Sequence, residues 1–234
     1  MENLKHLADQ IKWQFIILKR NNLINISVGV TAIYALIFYV FKDFPYMEKA
    51  LTLLVYNDPS LIGLLFFGLA VILEANQRVL PAFLVTPMSV HHYLLARTLA
   101  LSILGWLCAL GMVIAAVGFS FHWLHFSAGV LAICFIFSLA GVFLISYTSE
   151  FLNYMLLSIP IMAVLSLPLL NYYGLTDLFW FKLVPTQGAT DLLVSSYELP
   201  LSLSELGGAY GTTIVWIVIL YWAAFKIFYR SVRN

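Results

Sequence analysis

Most of the residues that could do chemistry in this chain lie in one stretch, EANQRVLPAFLVTPMSVHHYLLAR, at positions 74–97. It contains Glu74 and Arg78, which are four residues apart with the acid first, a spacing at which two side chains can pair on one face of a helix. His91 and His92 could add pH-sensitive contacts, although neighbouring histidines are also typical of a solvated linker.

Catalytic and metal-binding motifs do not account for these residues. The chain contains no G-x-S-x-G, H-E-x-x-H or G-x-x-x-x-G-K-[ST] sequence, so it lacks the nucleophile elbow, the zinc motif and the P-loop. His122 and His125 flank Trp123 without an acidic or cysteine neighbour, which favours residues of a membrane interface over metal ligands. We therefore expect a chain that is not an enzyme and that binds no cofactor itself.

The composition is that of an integral membrane protein. Of the 234 residues, 62% are hydrophobic and 10% are charged, and the mean hydropathy is +0.95, a balance that soluble domains do not approach. Because a membrane helix satisfies its own backbone hydrogen bonds, we predict an all-α fold. The net charge of +1, without a basic block, argues against nucleic acid as a partner. Cys108 and Cys134 fall in apolar runs, where they are typical of small core residues.

Six transmembrane helices are predicted within a single domain over residues 1–234. They are placed at 22–41, 60–75, 98–119, 127–147, 151–170 and 209–229. If both termini are cytoplasmic, nine of the lysine and arginine residues lie inside and three lie outside, in agreement with the positive-inside rule. The N-terminus has no short apolar region followed by a small-residue cleavage site, so we expect the first span to be the targeting signal.

Two segments outside the spans have their own patterns. Residues 3–20 carry an apolar face at helical spacing, which predicts an amphipathic helix in the membrane interface or, alternatively, a helix packed on a soluble partner. Residues 171–208 are half apolar but interrupted by Pro185, Gly188 and Pro200. We interpret them as short helices that dip into the outer leaflet, with a simple external cap as the alternative.

The predicted spans contain no ionisable residue near the middle of the membrane, which argues against coupling to a proton or sodium gradient. Asp58 is assigned to the outer side, before the second span. Glu74 comes closest, at the inner end of that span; it either pairs with Arg78 or extends as a helix-end charge to the lipid headgroups. The energy for any transport would then come from outside this chain.

The connection between the second and third spans predicts a compact element at the inner surface. Pro81 should bend a helix that continues from the second span, and Pro87 disfavours helical geometry at Thr86. Ser89 is a plausible N-cap for the helix of the third span. The region 76–90 is therefore predicted to contain a short helix, VLPAFLV, between two bends. A soluble partner could push this helix as a lever; the alternative is a simple turn.

This stretch resembles the permease subunits of type-2 ABC exporters, in which a coupling helix joins the second and third spans. The tail of the match is particularly similar to the small permeases of fluoroquinolone-type drug export. The matching residues are Glu74, Leu80, Leu84, Val85, Thr86 and Pro87, followed by Ser89, Tyr93, Leu94, Leu95 and Arg97. The chain departs from the pattern at Ala75, Asn76, Arg78, Val79 and Pro81, which indicates a divergent member or one half of a heterodimer.

The resemblance implies a dimer of permeases, identical or homologous, that works with two copies of a separate P-loop ATPase in the bacterial cytoplasmic membrane. ATP and Mg²⁺ would be bound by the ATPase and not by this chain. The residues that couple the chain to the ATPase would be Glu74, Arg78, Leu80, Phe83, Thr86, Pro87 and Ser89.

A pathway with few charges suits an amphipathic or hydrophobic cargo, such as a drug, a lipid or a peptide-like molecule. We expect it along the second and fifth spans, with Pro160 and Pro168 bending the fifth. The candidate lining residues are Asn153, Ser158, Ser166 and Tyr172; ordinary polarity in helix packing is the alternative. A membrane scaffold or immunity factor that kept the fold without transport, and an ion-coupled carrier, remain competing functions.

Overall fold

The computed structural model describes residues 2–41, 47–76, 90–148, 150–176, 179–198 and 200–233. Every regular element in these ranges is helical, as the composition predicts. In chain order the α-helices are α1 Glu2–Arg20, α2 Leu23–Phe41, α3 Met47–Leu61, α4 Phe67–Asn76, α5 Val90–Val117, α6 Trp123–Ile145, α7 Phe151–Leu165, α8 Leu167–Tyr172, α9 Gln187–Ser195 and α10 Leu203–Arg233. A π-helical segment, Ile62–Phe66, joins α3 to α4, and a 3₁₀ helix, Phe179–Leu183, precedes α9.

Five helices in the described part of the chain are long and apolar enough to cross a membrane. They are Leu23–Phe41, Met47–Ala75, Val90–Val117, Trp123–Ile145 and Leu203–Arg230. The predicted fifth span at 151–170 corresponds instead to the 15-residue α7 followed by the short α8. Since 15 residues give only about 22 Å of helix, α7 alone is shorter than the hydrocarbon core. Within the described residues there are therefore five such spans and one broken apolar helix, where the sequence predicts six spans.

The predicted start of the second span, at residue 60, is wrong. The helix begins at Met47 and runs without interruption to Asn76. The sequence Asn57-Asp58-Pro59 has the composition of a turn, but Pro59 is accommodated within the helix, as membrane helices permit when the freed backbone groups find other partners. Asp58 therefore lies inside a span and not in an outer loop, which also corrects the prediction that no span contains an ionisable residue near its middle.

The two central helices, α5 and α6, pack antiparallel and supply much of the core. Trp106 donates from Nε1 to Ser127 Oγ (3.0 Å), and Cys134 Sγ lies 3.4 Å from the carbonyl oxygen of Leu101. Cys108 and Cys134 are both buried with free thiols, so the prediction of small core residues is confirmed.

Small residues allow the second span to approach its neighbours closely. A Cβ added at Gly63 would overlap the backbone oxygen of Cys134, and one added at Gly68 would overlap the ring of Tyr154. Tyr154 is fully buried and donates to the carbonyl oxygen of Leu64 in the π-helical segment at 2.5 Å. Close packing over glycine is typical of membrane helices.

The apolar helix after α6 breaks at Ser166, two residues before Pro168. The carbonyl oxygen of Leu165 accepts hydrogen bonds from the Tyr56 hydroxyl at 2.7 Å and the Thr186 hydroxyl at 2.5 Å. Because proline cannot donate a backbone hydrogen bond, a break near Pro168 is expected, and the predicted bend is confirmed there. Pro160 lies inside α7 without ending it.

The segment 171–208 contains short helices, as the sequence predicts. One of them, α9, is almost entirely buried against α6 and α10. Gly129 of α6 faces the backbone of Leu193, and Gly188 faces the carbonyl oxygen of Ala209 in α10. The position of this segment relative to the outer leaflet stays a prediction.

The antiparallel packing of successive helices gives the bundle two ends. We call the end where α4 finishes and α5 begins the inner end, following the predicted charge distribution, and the opposite end the outer end. The helix α1 packs against α5 and joins the inner end. That α1 is helical agrees with the sequence, whereas its place in the membrane interface stays a prediction, as does the assignment of the inner end to the cytoplasm.

Candidate functional site at the inner end of the bundle

A buried polar network ties three helices together at the inner end. Arg97 of α5 forms an ion pair with Glu74 of α4, and the two side chains are only 2% and 5% exposed. Tyr93, one helical turn before Arg97, donates from its hydroxyl to the other carboxylate oxygen of Glu74 at 2.6 Å. Arg97 also contacts the Tyr93 hydroxyl and donates from Nε to Gln14 Oε1 of α1 at 3.1 Å.

The network satisfies a charge pair in an environment where either charge alone would be costly. Both oxygens of Glu74 are bound, one by Arg97 and the other by Tyr93. The other two nitrogen atoms of the Arg97 guanidinium donate hydrogen bonds to Gln14 and to the Tyr93 hydroxyl. A buried ion pair of this kind is tolerated when further hydrogen bonds complete it, and removing one partner leaves an uncompensated charge.

Aromatic contacts extend the network to α10. The ring of Tyr93 stacks on Phe228 with a centroid separation of 6.1 Å and an angle of 7°. The guanidinium of Arg97 lies 4.7 Å from the centroid of the Tyr93 ring, a distance at which a cation is attracted to an aromatic face. The start of α5 is therefore connected to α1, α4 and α10 together.

His91 makes a separate contact with the same end of α10. Its Nδ1 lies 2.7 Å from the Tyr221 hydroxyl, and its ring meets Phe225 edge-on at 5.6 Å. His91 and His92 both belong to the first turn of α5. The interpretation of the two histidines as linker residues is therefore wrong, although the side chain of His91 is exposed.

The network brackets the region of the predicted coupling helix. Glu74 lies just before residues 77–89 and Tyr93 just after them. The other predicted coupling residues lie outside the described residues, namely Arg78, Leu80, Phe83, Thr86, Pro87 and Ser89. The helix α5 is described from Val90 onward, and the predicted N-cap Ser89 lies outside the described residues, so its role stays a prediction.

The structure corrects the role expected of Glu74. It is buried, with 4% of its surface exposed, so the interpretation as a charge that extends to the lipid headgroups is wrong. Its carboxylate oxygens bind Arg97 and Tyr93, whereas the predicted pairing with Arg78 lies outside the described residues. The pattern that could have indicated this is the placement of opposite charges at the adjoining ends of two consecutive antiparallel spans.

The four predicted pathway residues lie at different levels of the bundle. Asn153 is exposed near the inner end and donates to Glu150 Oε2 at 3.1 Å. Ser158 is buried and donates to the carbonyl oxygen of Met155 in its own helix at 2.6 Å. Ser166 lies at the break between α7 and α8, where its Oγ is buried without a hydrogen-bond partner among the described residues. The structure does not bring these three together into one site.

The fourth, Tyr172, belongs to a polar cluster at the outer end. Its hydroxyl donates to Glu198 and lies 3.4 Å from the Thr52 hydroxyl, which in turn lies 2.8 Å from the Tyr197 hydroxyl. Tyr172 also lines a cavity of about 430 Å³ that contains Lys182. Its lining also includes the polar side chains of Asn171, Gln187 and Asp191.

Asp191 is the acidic group of that outer cavity. Burial raises the pKa of its carboxyl to about 6, although the hydrogen bond from Gln187 Nε2, at 2.8 Å, favours the charged form. Lys182 also favours the charged form, and Glu205 opposes it. The carboxyl therefore changes its charge close to physiological pH.

No group of three or more histidine, cysteine, aspartate or glutamate residues is placed to hold a metal ion within the part of the chain that the structure describes. His125 of the predicted interfacial pair has its Nδ1 2.8 Å from the Tyr210 hydroxyl of α10. The ring of His122 lies 5.7 Å from that of His125.

Comparison with known proteins gives one family match and two curated relatives with the same description. Fluoroquinolones export permease proteins of Mycobacterium tuberculosis strains CDC 1551 / Oshkosh and ATCC 25618 / H37Rv are each 28% identical to the chain over 146 residues. These alignments cover 61% of the chain and 60% of each relative, so the chain spans about three fifths of the length of the relatives it matches. The sequence profile of the fluoroquinolones export permease protein family matches residues 5–234. The chain therefore belongs to the fluoroquinolones export permease protein family.

Proposed function

We propose that this chain is the membrane-spanning subunit of an ATP-driven ABC exporter, working as a dimer of permeases with two copies of a separate ATPase. ATP hydrolysis on the partner would move the segment at residues 77–89, and the two helical bundles would rock against each other to open a pathway. The chain itself would bind neither ATP nor Mg²⁺.

The observation that carries this proposal is the buried network of Gln14, Glu74, Tyr93 and Arg97. The segment at residues 77–89 can pass a displacement to the bundle only if the helices at its two ends, α4 and α5, are held together. Glu74 before residues 77–89 and Tyr93 and Arg97 after them are bonded to each other, so displacement of the segment would act on α4 and α5 together. Gln14 would carry the same displacement to α1.

The cargo that the bundle suits best is amphipathic or hydrophobic. A groove of about 370 Å³ between α6, α7 and α10 is lined entirely by apolar residues, including Phe143, Pro160 and Leu220. An apolar lining favours drugs or lipids over sugars and ions. The names of the two mycobacterial relatives refer to fluoroquinolones, which makes this drug class the first cargo to test.

The test is substrate-stimulated ATP hydrolysis by the complex in lipid nanodiscs. Variants Arg78→Ala and Thr86→Ala should lose stimulation by a fluoroquinolone while the complex still assembles. Tyr147→Ala is the matched control, because Tyr147 follows α6 at the same end and is 78% exposed; this variant should keep the stimulation. Full stimulation in all three variants would contradict the role of the segment.

A membrane scaffold with the same fold is the second candidate. The departures of the segment from the family pattern at Ala75, Asn76 and Pro81 favour it. A scaffold would assemble normally but show no substrate-stimulated hydrolysis in the wild type, so the same experiment separates the two functions. An ion-coupled carrier would instead transport after ATP depletion and stop when the proton gradient collapses.

A further inference from the structure

One ionisable residue of the spans is not used by the proposed function. Asp58 lies 11 residues after the start of the span Met47–Ala75 and 17 residues before its end. At the rise of an α-helix these separations are about 16 Å and about 26 Å. Asp58 therefore lies inside a hydrocarbon core about 30 Å thick, where ionisable residues are rare and usually functional.

The side chain of Asp58 is buried, and no described residue forms an ion pair with it. It is 8% exposed, and its Oδ2 has no hydrogen-bond partner among the described residues. The titratable groups that face it from packed helices are the thiols of Cys108 on α5 and Cys134 on α6. The Thr31 hydroxyl of α2 lies beside Cys108. None of these groups carries a positive charge.

Glu74 of the same helix shows how a buried carboxylate is stabilised elsewhere in this protein. Arg97 and Tyr93 bind its two oxygens. Glu74 lies 16 residues beyond Asp58, or about 24 Å along the helix, so its arginine is far from Asp58. A buried carboxyl without a cation is stable in its neutral, protonated form, because the charged form loses its hydration without compensation.

The helix is irregular next to Asp58. Pro59 follows directly, and the π-helical segment Ile62–Phe66 begins four residues later. Such segments within α-helices are frequent at functional sites, because they can shift without breaking the whole helix. Pro59 also packs against Gly105 of α5, where an added Cβ would lie 3.2 Å from the Cβ of Pro59.

From the buried carboxyl of Asp58 and the irregular helix beside it, we propose that Asp58 is a proton-binding site in the middle of the membrane. In the bundle described here it carries a proton as the neutral carboxylic acid. When the second span rearranges at Pro59 and Ile62–Phe66, water enters, the O–H bond of the acid breaks and the proton passes to water. This inference is independent of the ATPase and of the cargo.

The first test is infrared difference spectroscopy of the full-length protein in lipid nanodiscs. The wild type should show the carbonyl stretching band of a protonated carboxylic acid. The frequency of this band should shift in heavy water, because deuterium replaces the acid proton. Because Asp191 also holds a proton below about pH 6, all of the proteins compared carry Asp191→Asn. In that background the band should disappear in Asp58→Asn, which has nearly the same shape, and should remain in Glu74→Gln. A spectrum without a protonated carboxyl band, or a band that survives in Asp58→Asn, would overturn the proposal.

A second test needs no variant. Lipid-soluble dicyclohexylcarbodiimide reacts with protonated carboxyls, and mass spectrometry of the digested protein locates the adduct. The adduct should form on Asp58 and decrease as the pH rises, whereas the ion-paired Glu74 should stay unmodified. Equal labelling of Asp58 and Glu74, or labelling of Asp58 that does not change with pH, would contradict proton binding at this site.

Discussion

At the scale of single residues, the ion pair between Arg97 and Glu74 is the interaction whose loss should cost most. Arg97→Ala leaves the carboxylate of Glu74 buried without its counter-charge, so we expect the free energy of unfolding to fall by about 3–5 kcal/mol. Tyr93→Phe keeps the ion pair but removes the two hydrogen bonds of the Tyr93 hydroxyl, to Glu74 and from Arg97, and should cost about 1–3 kcal/mol. Unfolding in mixed micelles, followed by tryptophan fluorescence, measures both.

The control for Arg97→Ala is the same substitution at an exposed arginine of the inner end of the bundle. Arg230 of α10 is exposed, so Arg230→Ala should change the free energy of unfolding by less than about 0.5 kcal/mol. If Arg97→Ala and Arg230→Ala destabilise the protein equally, the network does not hold the inner end together.

Asp191 gives a prediction about pH. Its carboxyl keeps a proton in the folded protein up to about pH 6, whereas the ordinary value is 3.8. Between these two values the folded state binds more protons than the unfolded state, so the free energy of unfolding should fall as the pH rises through that window. Asp191→Asn should remove this decrease. Melting temperatures measured across the window for the two proteins test it, and the same decrease in both would contradict the role of Asp191.

At the scale of elements, the close approach of the second span to α6 depends on Gly63. A Cβ at this position would overlap the backbone oxygen of Cys134, which cannot move away as a flexible side chain can. We expect Gly63→Ala to lower the free energy of unfolding by about 1–3 kcal/mol. Gly29 of α2 has no atom within 4 Å of an added Cβ, so Gly29→Ala should leave it unchanged or raise it by up to about 1 kcal/mol. Unchanged stability in Gly63→Ala would show that the two helices are not in tight contact.

The helices themselves were largely predictable from the sequence, because long apolar runs in a membrane protein have few alternatives to helix. The exceptions were the fifth span, which is broken at Ser166, and the second span, which begins at Met47. Asp58 and Pro59 together have the local chemistry of a turn, and only the packing of Pro59 against Gly105 and of Gly63 against Cys134 accommodates them within a helix. Contacts between residues this distant in sequence leave no periodic signal.

The buried network at the inner end was predictable only in part, because it too depends on contacts between residues distant in sequence. The sequence placed Glu74 at the inner end of the second span, but one of its interpretations was a charge that extends to the headgroups, whereas the side chain is buried against Arg97 and Tyr93. Gln14 and Arg97 are 83 positions apart, and nothing in the spacing of either indicates the other. The bend near Pro168 was predicted from that proline, but the hydrogen bonds of Tyr172 with Glu198 and of Ser158 within its own helix leave no signal in the sequence.

At the scale of the whole molecule, the helices differ in how much of their surface the bundle covers. In α2 and α10, 17% of the most apolar 18-residue stretch is buried, whereas in α6 the share is 67%. α7 likewise exposes apolar residues such as Leu152, Leu156 and Ile159. These faces must contact either lipid or another subunit, and the proposed dimer would cover part of them.

The measurement that tests the central claim most directly is the mass and composition of the complex, extracted gently from native membranes in lipid nanodiscs, with every co-purifying chain identified. An ATP-driven exporter predicts a P-loop ATPase in equal number with the permeases, and two permease chains in each complex. Recovery of this chain without an ATPase, under conditions that keep known ABC complexes intact, would contradict the account and favour the scaffold.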